Sequence, residues 1–98
     1  MAYSLNILPN ASIEIEKAFQ FYENISENVL NNFNDDLEYV FQTLETNPHF
    51  QVRHKHLRAI TLKKFPFLIF YDIDEIYKEI YNYSFFLTHK NPDKYPTK

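Results

Sequence analysis

The segment FPFLIFYDID, residues 65–74, decides the fold of this chain of 98 residues. From Phe67 to Ile73, both alternating sets of side chains are apolar up to the acidic end of the segment. Successive side chains of a strand point to opposite faces, so a strand that is apolar on both faces is covered on both sides. The segment therefore predicts a central strand, with Lys63 and Lys64 before it and an acidic turn after it.

Three further segments have the alternation that is typical of strands. LRAITLK, residues 57–63, can bury one face while the other carries Arg58. IYKEIYNYSFFLTH, residues 76–89, is long and rich in tyrosine. YSLNIL, residues 3–8, alternates weakly and ends at Pro9, which predicts a first strand at the beginning of the chain.

Two segments between the first strand and the others have helical periodicity. In ASIEIEKAFQFYENI, residues 11–25, apolar residues recur at steps of three and four, and either Asn10 or Ser12 is expected as the N-cap. The same spacing recurs in residues 26–46, where Ser26 is the expected N-cap. Asn47 and Pro48 follow and should end the second helix. Two adjacent amphipathic helices predict an antiparallel hairpin.

The order of these segments predicts a single α+β domain over residues 1–98. It consists of an N-terminal strand, a helical hairpin and then a three-stranded, mostly antiparallel sheet. One face of the sheet is expected to take the helices. The other face is either covered by another part of the protein or left as an apolar surface for a partner.

Composition excludes several classes of protein. Cysteine is absent, which excludes disulfides and thiolate metal sites and favours a reducing compartment. The start of the chain lacks a signal-peptide pattern, and no window approaches eighteen apolar residues, so we expect a cytoplasmic protein with no membrane contact. His54 and His56 have a spacing that can bind metal, but no third ligand accompanies them. We predict neither a metal nor a cofactor.

Charge is unevenly distributed along the chain. The formal net charge is -3, which argues against a typical nucleic-acid binder. RHKHLRAITLKK, residues 53–64, nevertheless gathers five cations and no acid, whereas the acidic residues concentrate between positions 14 and 45. We interpret the acidic stretch as the solvated face of the helical hairpin.

Three signatures in this order resemble the RelE/ParE toxins of bacterial type II toxin-antitoxin pairs. The first is AFQFYENIS, residues 18–26, similar to the first helix of that family. The second is NPHF, residues 47–50, followed by LRAITLKKFPFLIFYDID, residues 57–74, with an arginine seven residues before an F-P-F. The third is FFLTHKNPDKY, residues 85–95, similar to the final strand of the family and its basic, proline-containing end.

This resemblance covers essentially the whole chain and implies a fold, a partner and an activity. It implies a growth-inhibiting toxin of the plasmid-stabilisation type, held in an oligomeric complex by a cognate antitoxin. The C-terminal segment of that antitoxin would pair with an edge strand or lay a helix on apolar surface. RelE-like members of the superfamily cleave messenger RNA on the ribosome, whereas ParE-like members inhibit DNA gyrase, and the fold does not choose between them.

The residue at an expected catalytic position and the net charge favour the ParE-like branch. A metal-independent ribonuclease needs an acid, a base and cations for the phosphate, for which Arg58, Lys63 and His89 are the candidates. The position where the family commonly has a histidine is Leu87 here. Together with the acidic net charge, this favours a toxin directed at DNA gyrase. The alternatives are a RelE-like ribosome-dependent endoribonuclease and a degenerate toxin that only binds its antitoxin.

For contact with the target or the antitoxin we predict Arg58, Lys64, Tyr83, Phe85 and Lys90. Three of these residues have an ordinary structural alternative. Arg58 can pair with a helix carboxylate, and Tyr83 and Phe85 can belong to cross-strand packing. Tyr71, in the central strand, is expected to be buried rather than catalytic.

Overall fold

The computed structural model describes residues 3–88 and has an α+β fold of two helices and five strands in that range. In chain order these are β1 (Ser4–Ile7), α1 (Pro9–Glu23), α2 (Glu27–Thr46), β2 (Val52–His54), β3 (Leu57–Thr61), β4 (Phe67–Asp74) and β5 (Glu79–Leu87). The predicted α+β class is confirmed. Neither helix in this range is both long and apolar enough to cross a membrane.

The strands form one mixed sheet in the order β1-β5-β4-β3-β2. β1 runs parallel to β5, and the other neighbours are antiparallel. The prediction of a three-stranded sheet was wrong. After the helical hairpin the chain enters β2 at the opposite edge of the sheet from β1, and β2 to β5 lead back across it so that β5 lies beside β1. β2 is an edge strand of three mostly exposed residues, too short to give a periodic signal.

β4 is the central strand that the sequence predicted. Ile69 and Tyr71 belong to the core cluster under the helices, whereas Leu68 and Phe70 belong to a second cluster on the other face. All four are almost completely buried. Tyr71 is fully buried, as expected.

The two helices begin differently, and one of the two predicted starts was wrong. α1 begins at Pro9 with Leu8 as its N-cap and no capping side chain, so neither Asn10 nor Ser12 is the cap. Proline is favoured in the first helical turn because its missing N–H would have no intrahelical acceptor there. In α2 the predicted cap is confirmed, since the Ser26 hydroxyl accepts a hydrogen bond from the Val29 N–H.

An aromatic cluster joins the helices to the sheet. Phe33 of α2 is fully buried, and its ring contacts rings from α1, β4, β5 and the β3–β4 turn. The contacting residues are Phe19, Tyr22, Phe65, Phe67 and Phe85. This cluster fixes α1 beside β5, where the candidate site lies.

Candidate partner-binding groove

α1 and the second half of β5 enclose an open groove of about 680 Å³. One stripe of α1 forms one wall, while β5 and part of β4 form the other. The lining residues are Asn10, Ile13, Glu14, Lys17, Ala18, Phe21, Tyr22 and Phe67, together with residues 83–87. We call this surface the α1–β5 groove.

Along the groove, β5 has no neighbouring strand on its outer side among residues 3–88. β1 pairs with residues 79–82 only, because Pro9 then starts α1 and takes the chain away from the sheet. On the β4 side, the Thr88 N–H donates to the Pro66 carbonyl at 2.8 Å. Since backbone groups of a strand alternate in direction, those of Phe85 and Leu87 point away from β4, along the open edge.

A second observation gives the same direction for the backbone of Leu87. Leu87 lies opposite Phe67 in the β4–β5 register. The Phe67 carbonyl accepts from the Leu62 N–H at 3.0 Å and therefore faces β3. The Phe67–Leu87 pair is thus a non-hydrogen-bonded pair, in which both backbones point outward.

A β-bulge in β5 separates the paired part of the strand from the open part. Phe70 lies opposite Ser84 and Tyr71 opposite Asn82, which leaves Tyr83 as the extra residue. The extra residue changes which backbone groups face outward. The open edge therefore begins where the pairing with β1 ends.

Asn82 lies at this boundary and is unusual in its surroundings. Its side chain is fully buried, and neither its amide nitrogen nor its amide oxygen has a hydrogen-bond partner among residues 3–88. A buried polar group without partners costs about 1–3 kcal/mol.

The groove has an apolar floor and a nearly neutral rim. The rings of Phe67 and Phe85 stack at 4.5 Å with an interplanar angle of 17°. On the α1 rim, Ile13 and Phe21 are 51% and 61% exposed. The only charged side chains among the lining residues are Glu14 and Lys17, which form an ion pair at 3.5 Å. An apolar groove beside an open strand edge can bind an extended peptide through backbone hydrogen bonds and alternate side chains.

Two of the predicted contact residues line this groove. Phe85 is 3% exposed and belongs to the core cluster under the helices. Tyr83 is half-buried and also packs against the apolar cluster on the opposite face of the sheet. His89 and Lys90 lie outside the described residues.

Arg58 and Tyr71 act together on the loop that follows α2. The Arg58 guanidinium donates to the Phe50 carbonyl at 2.6 Å and has no helix carboxylate as a partner among residues 3–88. The Tyr71 hydroxyl donates to the Pro48 carbonyl at 2.6 Å. Burial raises the pKa of the Tyr71 phenol to about 12. Both side chains therefore hold residues 48–50 against the sheet.

Lys63 and Lys64 lie in the turn between β3 and β4, and Asp36 of α2 holds that turn. The Lys63 and Lys64 N–H groups donate to the two carboxylate oxygens of Asp36 at 3.1 and 2.7 Å. The Lys63 ammonium lies 4.1 Å from the centre of the Tyr39 ring. A hydrogen bond from Lys63 lowers the pKa of the Tyr39 hydroxyl.

Arg58 and Lys63 are not brought together by the fold. Arg58 lies in β3 and Lys63 in the turn that follows it, with four residues between them. The side chain of Arg58 is directed to Phe50, and that of Lys63 is directed to Tyr39. The two cations therefore do not form one phosphate-binding cluster in this arrangement.

The histidines of the basic segment lie beside side chains of β4. The His56 ring lies 3.6 Å from the Asp72 carboxylate, and the His54 ring lies 5.9 Å from the ring of Phe70. Within residues 3–88, no group of three or more side chains is placed to hold a metal ion.

The sequence interpretation missed the α1 wall of the groove. Ala11, Ile15 and Ala18 follow the predicted spacing of three and four and form the buried stripe of α1. Ile13 and Phe21 lie outside this stripe, and two large apolar residues on the polar side of an amphipathic helix are the signal that was available. The open edge itself gave no signal, because it depends on which residues of β5 pair with β1.

Protein-family models give no match to this chain, and a search of curated proteins also gives none. The resemblance to the RelE/ParE toxins therefore stays a prediction.

Proposed function

We propose that this protein is the toxin of a type II toxin-antitoxin pair, that it acts in the ParE-like manner on DNA gyrase, and that a cognate antitoxin neutralises it. The observation that carries the proposal is the α1–β5 groove with the outward backbone groups of Phe85 and Leu87 beside it. A neutralising segment that adds a strand to a sheet needs such an edge and an adjacent apolar wall.

The surroundings of the cations favour a binding toxin over a ribonuclease. Stabilising a transition-state phosphate requires cations that converge on one point. Arg58, in β3, donates a hydrogen bond to the Phe50 carbonyl, whereas Lys63, in the turn after β3, lies over the ring of Tyr39. These contacts support a structural role for both residues, which is to hold the fold together.

Pulse-labelling distinguishes the proposed function from its alternatives. The chain is induced in bacterial cells without a partner, and the incorporation of thymidine and methionine is followed over the first minutes. We expect thymidine incorporation to fall first. If methionine incorporation falls first, the ribosome-dependent ribonuclease replaces the gyrase-directed toxin, and if neither falls, the degenerate toxin is the remaining hypothesis.

A supercoiling assay tests the target directly. Purified protein is added to DNA gyrase and relaxed plasmid, and we expect supercoiling to be blocked. Full supercoiling at an excess of folded protein would rule out gyrase as the target. The Ile13→Asp variant in the α1–β5 groove is expected to keep this inhibition while losing neutralisation by the antitoxin, and Ile76→Asp, on the exposed β4–β5 turn, should keep both properties.

A further inference from the structure

We propose that the open edge of β5 pairs with the same edge of a second copy, so that the two sheets join around a twofold axis. This inference goes beyond the proposed function and does not depend on it. The occupant of the α1–β5 groove in the isolated protein is therefore another molecule of this chain.

The backbone geometry makes the open edge self-complementary. Phe85 and Leu87 each direct one N–H and one C=O away from β4. When two such edges run antiparallel, Phe85 of one copy lies opposite Leu87 of the other, and about four hydrogen bonds form across the axis. A twofold interface uses the same surface on both copies, which this arrangement satisfies.

The side chains along the edge favour the same pairing. Ile13 and Phe21, which are 51% and 61% exposed, are both on the wall of α1 that faces the groove. In a joined sheet the two α1 helices lie on the same face, on either side of the axis. Both pairs of side chains would then be removed from water, which stabilises the contact in proportion to the apolar area buried.

Charge favours this surface over the rest of the helical layer. Lys17 is the single basic residue before Arg53, whereas acidic residues occur throughout both helices. Two copies that met through other parts of the helices would bring like charges together. At the groove, Lys17 is paired with Glu14, so the rim is close to neutral and two rims do not repel each other.

The interface is small, and this sets the strength that we expect. Stable protein interfaces bury on the order of 1,600 Å², whereas this one consists of a short edge and one stripe of α1. We therefore expect a dimer that dissociates on dilution through the micromolar range. An antitoxin segment in the same groove would displace the second copy.

Sedimentation equilibrium of the purified chain, without any partner, tests the dimer. We expect the mass to rise from that of a monomer to that of a dimer as the concentration rises. Ile13→Asp places a charge in the interface and is expected to weaken the dimer at least tenfold. The matched Ile76→Asp variant, at a position 84% exposed on the β4–β5 turn and outside the groove, should dimerise like the unchanged protein.

Leu87→Pro tests the backbone pairing separately from the apolar contact. Proline is tolerated on an edge strand where the N–H faces outward, so the fold should persist, but one outward donor is lost in each copy. We expect this variant to be monomeric, with a circular dichroism spectrum like that of the unchanged chain. A monomer at all concentrations of the unchanged protein would overturn the proposal, and so would a dimer that neither Ile13→Asp nor Leu87→Pro weakens.

Discussion

Asp36 of α2 holds the turn before the central strand through hydrogen bonds. It is nearly buried, and its two carboxylate oxygens accept the Lys63 and Lys64 N–H groups. Hydrogen bonds that involve a charged group are stronger than neutral ones. The sequence pointed to the lysines of this turn as candidate functional side chains, but their backbones are what Asp36 binds.

Replacing Asp36 tests this role. Asp36→Ala leaves both N–H groups without their acceptor, and we expect the free energy of unfolding to fall by about 2–3 kcal/mol. Urea denaturation measures the change. Asp35→Ala, one position earlier and exposed, should change the same quantity by less than about 0.5 kcal/mol. Equal losses in the two variants would contradict the role assigned to Asp36.

The buried phenol of Tyr71 should make the free energy of unfolding depend on pH in the alkaline range. Its phenol has a pKa of about 12 in the folded protein, because it is buried, against 10.0 as the ordinary value. Above pH 10 the unfolded chain therefore loses this proton more readily than the folded chain. The stabilisation is complete below pH 10 and is lost as pH rises toward 12.

We expect this single group to remove about 2–3 kcal/mol of the free energy of unfolding across that range. Denaturation at a series of alkaline pH values measures the slope, and Tyr71→Phe should have a shallower one. Tyr81, whose pKa is raised to about 12 by its hydrogen bond with Glu79, adds a slope of the same sign to both proteins. Identical slopes in the two proteins would show that Tyr71 does not cause the effect.

At the scale of elements, local signals predicted a helix start correctly only where the side chain makes the stabilising contact. Ser26 accepts the Val29 N–H, so its local sequence was enough to place the start of α2. The start of α1 depends on the backbone of Leu8 and on Pro9, while Ser12 lies within the helix. The pattern of polar residues therefore misplaced the start of α1.

The two serines give a matched pair of substitutions. Ser26→Ala removes the cap of α2 and should lower the free energy of unfolding by about 1 kcal/mol. Ser12→Ala should leave it within about 0.5 kcal/mol of the original value, because Ser12 is an exposed residue inside α1. Chemical denaturation of both variants measures the difference. A larger loss for Ser12→Ala than for Ser26→Ala would contradict the caps described above.

For the molecule as a whole, the net charge of -3 and the separate surroundings of Arg58 and Lys63 favour the proposed binding toxin over the ribonuclease alternative. His89→Ala is the sharper test of this interpretation. Arg58→Ala would also release the loop at Phe50, so a loss of activity in that variant has two explanations.

If the protein is the proposed binding toxin, cells that express His89→Ala should stop growing like cells that express the unchanged chain, because a binding toxin needs no general acid or base at this position. Growth curves after induction measure the effect. Phe33→Ala is the control that shows whether growth arrest requires the folded protein. It leaves a cavity in the aromatic cluster, so we expect it to lower the free energy of unfolding by about 3–5 kcal/mol and to abolish the arrest. Normal growth with His89→Ala, at the same protein level, would favour the ribonuclease.

The sequence by itself determined the α+β class, the central strand, the helical hairpin and the cap of α2, because each depends on periodicity or on contacts between residues close in the chain. Tertiary structure alone decided the remaining features. β1 lies beside β5 because β2 to β5 lead back across the sheet, and its register opposite residues 79–82 leaves the second half of β5 without a partner strand among residues 3–88. The open edge of β5 and the groove beside it follow from these long-range placements, which no local pattern contains.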